Sequence, residues 1–332
     1  MQERTIYKRN KTGKQRTNLQ QFLKGGFMQK KGSLSKLKKQ ENRMGYIFAF
    51  PWIFGLIVFG AFPIIASLYI SFTSYDMISA PRFIGIENYK ILLFNDSIFY
   101  QSLGNTIYHV VLAVPLGMFV GVVLALFLNS KIRGMSVYRT LFYLPNVVSI
   151  VAMSLLWLWL FNPNFGIINQ VLKPVYDLFG MEPLRWYADA STSKMTLILM
   201  GLWTAGGSMV IYLAQMQDIP VTLYESAEID GANWFQKIIY ITLPLMTPSM
   251  FFNFIMGIIG SFQVFTLAYI MTSGGPSRST YYFAYYLYDL MMADQNMGMA
   301  SAMAWILLVI VLVFTMIALK LNKYVVYLGE EN

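Results

Sequence analysis

Six stretches of this chain are apolar for long enough to cross a lipid bilayer, and that constrains its fold more than any other feature. A hydrocarbon core about 30 Å thick takes roughly 20 helical residues, and inside it a helix satisfies its backbone hydrogen bonds within one segment. The stretches run near Tyr46–Phe72, Ser102–Leu128, Leu141–Phe161, Met195–Gln215, Pro244–Met271 and Ala300–Leu321. The expected fold is therefore all-α, a polytopic membrane protein with six transmembrane helices. Composition agrees, with 56% hydrophobic and only 12% charged residues, outside the balance of a soluble domain. No stretch carries a mid-membrane Lys, Arg, Asp or Glu. That argues against a proton- or sodium-coupled carrier with a buried carboxylate and against a voltage sensor.

The net charge of +9 is placed unevenly, because residues 1–43 hold thirteen Lys and Arg against Glu3 and Glu41. This segment reads as a basic cytoplasmic arm whose partner is anionic lipid rather than nucleic acid, since no aromatic platform surrounds it. Lys36, Lys38, Lys39 and Arg43 lie close to the first span and orient it with the arm inside. Outside the arm the basic residues of inner and outer loops balance, so they do not decide the orientation. Six crossings then return the carboxyl terminus to the cytoplasm. The chain divides into the arm at 1–43, a membrane domain at 44–324 that includes a cytoplasmic loop at 216–243, and a cytoplasmic tail at 325–332.

Covalent chemistry finds little to work with. Cysteine is absent and His109 is the only histidine, which leaves no thiol nucleophile, no Cys-ligated zinc and no spare candidates for a Ser-His-Asp triad. His109 lies inside an apolar run and reads as a packed or hydrogen-bonded helix residue in preference to a proton relay. Gly13 and Lys14 are followed by Gln15 and lack the upstream glycine of a phosphate-binding loop, so the chain holds no ATP site of that kind.

Between the fourth and fifth apolar stretches lies the polar sequence YESAEIDGANWFQKIIYITLPL, residues 224–245. Tyr224 to Asp230 can form about two helical turns, Asp230-Gly231 is a break at which glycine takes positive φ, and a second short helix can run from Asn233 towards Ile241. Pro244 and Pro248 mark re-entry into apolar sequence. The segment resembles the cytoplasmic coupling loop, the Glu-Ala-Ala loop, of permease subunits of bacterial ATP-binding-cassette importers. Glu225, Ala227, Gly231, Ile241, Leu243 and Pro244 fit its pattern, Asp230 and Ala232 fit the sugar-importer version, and Ser226 replaces the central alanine. The resemblance implies that this loop docks on a separate ATPase.

From about residue 44 onward the chain is similar to the sugar-permease branch related to the larger membrane subunit of maltose importers. The segments 83–106, 139–172 and 271–280 are all of that type. The resemblance implies a type I importer permease in the bacterial cell membrane, with both termini cytoplasmic and no catalytic role of its own. It also implies four kinds of partner: a second homologous permease, two ATPase subunits that bind ATP and Mg, an external sugar-binding protein, and an oligosaccharide as cargo. It places the translocation pocket at Gly201, Trp203, Thr204, Ala205 and Ser208 before the loop and at Gly257, Ser261, Gln263, Val264 and Phe265 after it. At 100° per residue Gly257, Ser261 and Val264 or Phe265 share a helix face, with Asn253 one turn further. Small and polar residues also glue transmembrane helices together. A permease for glycerol-phosphate-type or other small polar solutes is the alternative cargo reading, and a stand-alone channel is the alternative of another class.

Overall fold

A computed structural model describes residues 36–130 and 133–325, with side chains over 42–130 and 133–321. The expected arm at 1–43 lies outside the described residues as far as residue 35, and the expected tail at 325–332 lies outside them from 326 onward. Two compact units divide the chain, Met1–Ile65 and Ala66–Asn332. In the first unit the described chain is a single helix that begins at Lys36, is π-helical over Leu56–Ala61 and resumes as α-helix at Phe62. Lys36, Lys38, Lys39 and Arg43 therefore sit on the helix that leads into the first span. This helix counts as the first candidate span, α1 (Asn42–Ser71).

All other elements belong to the second unit. The main helices are α2 (Ser97–Leu128), α3 (Met135–Asn146), α4 (Ile150–Leu160), α5 (Ile167–Phe179), α6 (Ser193–Gln217), α7 (Val221–Ile229), α8 (Trp234–Phe262), α9 (Thr266–Thr272), α10 (Phe283–Met292) and α11 (Met297–Leu321). Among the described residues α1, α2, α6, α8 and α11 are long and apolar enough to cross a membrane, and α3 with α4 makes a sixth crossing if the bent pair counts as one span.

Two expected spans come out differently. The third is broken by a 95° bend between α3 and α4, where Pro145 sits in a short 3-10 turn, Leu144–Asn146. Proline supplies no N–H and restricts the residue before it, so a helix ends readily there. The fifth was expected to enter at Pro244 and run to Met271. Instead α8 begins at Trp234 and passes through a π-helical turn, Ile238–Thr242, directly ahead of Pro244. The wider turn accommodates a residue that cannot donate to the helix ladder. The chain then leaves the helix at Gln263 and starts α9 at Thr266.

Helix α2 is central to this unit. Its Val122, Ala125 and Leu128 pack with Met209, Tyr212, Leu213 and Met216 of α6 and Met246 of α8. Higher up, Val110 and Val114 pack with Ile258 and Phe262 of α8. Phe119 and Phe127 of the same helix are exposed, as expected where the surroundings are lipid tails. At one end, polar side chains fasten irregular segments to helix ends. Asp96 caps α2, its Oδ1 accepting from the Ile98 and Phe99 N–H groups at 2.8 and 3.2 Å. The Asn105 amide donates to the carbonyls of Arg278 and Tyr281 at 2.8 and 3.1 Å. The Phe283 N–H donates to Thr106 Oγ1 at 2.8 Å. Asn88 donates to the Ser71 and Thr73 carbonyls, both at 2.9 Å, beside a two-residue ribbon pairing Thr73 with Phe83.

Candidate translocation cavity and coupling loop

A cavity of about 360 Å³ opens between α2, the bend after α3, α6 and α8, within the range of small-molecule pockets. From α6 its wall takes Gly201, Thr204, Ala205 and Ser208, and from α8 Asn253, Gly257 and Ser261. Helix α2 contributes His109, Val114 and Gly117, and the bend contributes Asn146. Among the described residues lining it there is no Asp, Glu, Lys or Arg.

Local helix geometry explains how these groups come together. Residues Trp203–Ala205 form a 3-10 turn inside α6, a tighter winding that marks hinges and functional positions. Close approach is set by glycines. A Cβ on Gly206 would lie 2.0 Å from the Phe142 carbonyl oxygen, and one on Gly257 would lie 3.2 Å from Val114 Cγ1. The polar side chains are partly committed to their own helices: Thr204 Oγ1 donates to the Gly201 carbonyl at 2.8 Å and Ser208 Oγ to the Ala205 carbonyl at 2.9 Å. Asn253 Nδ2 donates to the Ser249 carbonyl at 2.9 Å. The two hydroxyl oxygens keep lone pairs and the Asn253 amide keeps its oxygen, so the wall carries acceptors for a solute rich in hydroxyls.

Of the ten pocket residues implied by resemblance, Gly201, Thr204, Ala205, Ser208, Gly257 and Ser261 line this cavity. Trp203 does not. It is 43% exposed and meets the Trp157 ring edge-on at 5.2 Å. Gln263 is exposed at the break after α8. Val264 and Phe265 lie beyond that break, packed against a cluster that includes Phe161, Trp186, Leu267 and Tyr285. The face shared by Gly257, Ser261 and Val264 assumed a helix continuous to Met271, and the turn at 263–265 removes it. Sequence reasoning missed His109 and Asn146 as wall residues. The available signal for His109 was its helical spacing with Ala113 and Gly117, small residues that leave room in front of it.

The loop between α6 and α8 is a rigid elbow. Gly231 has φ +78°, its N–H donates to the Glu228 carbonyl at 3.1 Å, and the Ala232 N–H donates to the Ala227 carbonyl at 2.8 Å. These two bonds with a left-handed residue between them form a Schellman cap on α7. Two residues later Asn233 begins α8 with a capping box, since Asn233 Oδ1 accepts from the Gln236 N–H at 2.9 Å and Gln236 Oε1 accepts from the Asn233 N–H at 2.7 Å. Lys237 Nζ donates to Glu228 Oε1 at 2.7 Å. That bond and the ammonium charge hold the exposed Glu228 carboxyl below the usual carboxylate range. Tyr224 OH and Thr242 Oγ1 lie 3.0 Å apart. The elbow thus joins two cavity-lining helices through fixed hydrogen bonds. Its outer surface leaves Glu225, Ser226 and Asp230 exposed, with Ile229 87% exposed and Trp234, Phe235 and Tyr240 also uncovered.

Membrane-crossing helices around an uncharged polar cavity, with an elbow built between two of those helices, define a translocation subunit. The chain belongs to the family of binding-protein-dependent transport system inner membrane components, which it matches over residues 113–326. It is similar to the probable ABC transporter permease protein YesP of Bacillus subtilis, 40% identical over 302 residues that cover 90% of this chain and 96% of that one. It is also similar to the lactose transport system permease protein LacF of Rhizobium radiobacter, 35% identical over 78% of this chain and 86% of that one. The fold matches a chain in a crystal structure of a bacterial alginate ABC transporter in complex with alginate pentasaccharide-bound periplasmic protein. The TM-score is 0.76 and the identity 22%, and the match covers 90% of this chain and all of that one.

Proposed function

We propose that this importer subunit carries a neutral oligosaccharide through the cavity between α2, α6 and α8. The observation that carries this reading is the wall itself, which is polar and free of formal charge among its described residues. Uncharged donors and acceptors suit hydroxyl-rich cargo and bind it weakly enough for release, whereas an anionic solute such as a glycerol phosphate would favour a cationic group. The lactose permease protein among its relatives supports the same class of cargo.

The remaining machinery follows from what the chain lacks. A second, homologous permease closes the other side of the path. Two ATPase subunits bind ATP and Mg and dock on the elbow at Glu225, Ser226, Ala227, Asp230, Gly231 and Ala232, with Ile241, Leu243 and Pro244 following within the first turns of α8. An external binding protein delivers the sugar. Closure of the ATPases moves the elbow and, through it, α6 and α8, so that the two permeases expose the cavity alternately. A stand-alone channel would have no use for such an elbow.

The test is uptake by the assembled complex. Asn253→Leu and Ser261→Leu each remove a polar partner from the wall and should raise the KM for the imported sugar roughly tenfold, about 1.4 kcal/mol of lost interaction, with basal ATP hydrolysis unchanged. Wild-type KM in both variants would mean that these residues only pack helices.

Orientation is tested separately, in a chain that contains no cysteine of its own. Ala80 and Ala190 are exposed on segments assigned to the outside, and Thr222 is exposed on the elbow. Ala80→Cys and Ala190→Cys should react with an impermeant maleimide on intact cells, and Thr222→Cys only after the membrane is made permeable. The opposite pattern would invert the topology and remove the elbow from the cytosol.

A further inference from the structure

We propose that His109 is a substrate-selecting residue of this permease, presenting the cavity with an imidazole N–H donor for a sugar hydroxyl; the inference rests on the sugar-import reading above. His109 lies on α2, only 7% exposed, and forms part of the cavity wall together with the polar residues of α6 and α8. Its ring stands edge-on to Tyr282 with centroids 5.2 Å apart, and Tyr282 is itself fully buried. The Nδ1 atom is shut off from solvent and has no hydrogen-bond partner among the described residues.

The tautomer is assigned from this burial. A neutral imidazole carries one proton, on Nδ1 or on Nε2. A lone pair at the enclosed Nδ1 with the proton on Nε2 is the assignment this burial favours. With Nδ1 closed off, Nε2 is the polar atom that the ring can offer to the cavity. The hydroxyl protons of Thr204 and Ser208 are directed to their own helices, so a His109 N–H adds to the donors of the wall beside the second amide N–H groups of Asn146 and Asn253. Each sugar hydroxyl both donates and accepts, and His109 supplies the complement to a wall rich in acceptors. A proton-relay role finds no support, since no carboxylate or ammonium lines the cavity beside it among the described residues.

The experiment is transport kinetics of the assembled importer with lactose, maltose, trehalose and arabinotriose, followed by monodeoxy analogues of whichever sugar is imported. His109→Phe keeps a ring against Tyr282 and deletes the donor, so KM should rise threefold to tenfold, as loss of one hydrogen bond does, while maximal uptake and basal ATP hydrolysis hold. His109→Gln restores an N–H donor and should bring KM back towards wild type. One monodeoxy analogue should show the same loss with the wild-type permease and no further loss with His109→Phe, the signature of a single shared contact. Unchanged KM in His109→Phe, with the wild-type complex importing sugar, overturns the assignment alone and makes His109 a packing residue. Equal losses in His109→Phe and His109→Gln, independent of the analogue, do the same. Absence of both uptake and stimulated hydrolysis with every sugar in the wild-type complex overturns the sugar reading and this inference with it.

Discussion

Gly206→Ala is expected to deplete folded permease from the membrane, a loss of about 3 kcal/mol, the upper end of what overpacking costs. Gly206 lies in ordinary helical conformation, φ −56° and ψ −25°, so the requirement is for space and not for backbone freedom. A methyl group there would stand 2.0 Å from the carbonyl oxygen of Phe142 and 2.9 Å from its carbon. The obstacle is backbone, held at the 95° bend between α3 and α4, and it has no rotamer through which to yield. Small residues at such crossings are what lets transmembrane helices approach closely. Neighbouring glycines provide the controls. A Cβ on Gly201 meets no heavy atom within 4 Å, so Gly201→Ala should be neutral or stabilise α6 by up to about 1 kcal/mol through helix propensity. Gly207 faces only the Asn146 side chain at 3.0 Å, which can swing away, and its alanine variant should fall between the two. Thermal melting of the purified complex ranks the three. A Gly206→Ala complex that assembles and melts with the Gly201→Ala one would mean that α6 does not cross the bend this closely.

The contrast among these glycines also shows how much of the molecule was legible in its sequence. Apolar length was enough to locate the crossings, because burial in hydrocarbon imposes a length that few soluble helices match. It could not locate breaks where the chain stays apolar on both sides. The turn at 263–265 carries no glycine or proline, and so the fifth span was drawn straight through to Met271. Pro244 misled in the opposite direction: a π-helical turn absorbs it and α8 runs on. The elbow was the most legible part, since its break depends on a local rule, the tolerance of glycine for φ +78°. The cavity was half legible. Its polar residues on α6 and α8 flank the loop in sequence, whereas His109 and Asn146 join the wall through tertiary packing with distant segments, and only the helical spacing of His109 with Ala113 and Gly117 hinted at it. Three glycines that look alike in sequence differ for the same reason, by what happens to cross them.

Gly231→Pro should abolish coupling while the spans remain in the membrane. Proline holds φ near −65°, whereas Gly231 sits at φ +78°, and proline also lacks the N–H that bonds the Glu228 carbonyl at 3.1 Å. The Schellman cap is lost, α7 and the start of α8 change their mutual angle, and the Glu228–Lys237 pair that bridges them separates. A surface that must meet a rigid partner is then presented in the wrong geometry. Gly231→Ala is the graded control: nothing lies within 4 Å of its Cβ, so it retains the N–H and carries only the left-handed strain of about 1 kcal/mol, and coupling should be partly kept. Glu225→Lys tests the same docking from another side, reversing the charge of an exposed residue with no fold to disturb. For Gly231→Pro and Glu225→Lys, sugar-stimulated ATP hydrolysis should fall to the basal rate, and the ATPase should no longer co-purify with the permease at wild-type yield. A complex that keeps its ATPase and its stimulated hydrolysis through both substitutions would place the docking surface elsewhere, and the exposed Ile229, Trp234 and Phe235 would then need another partner.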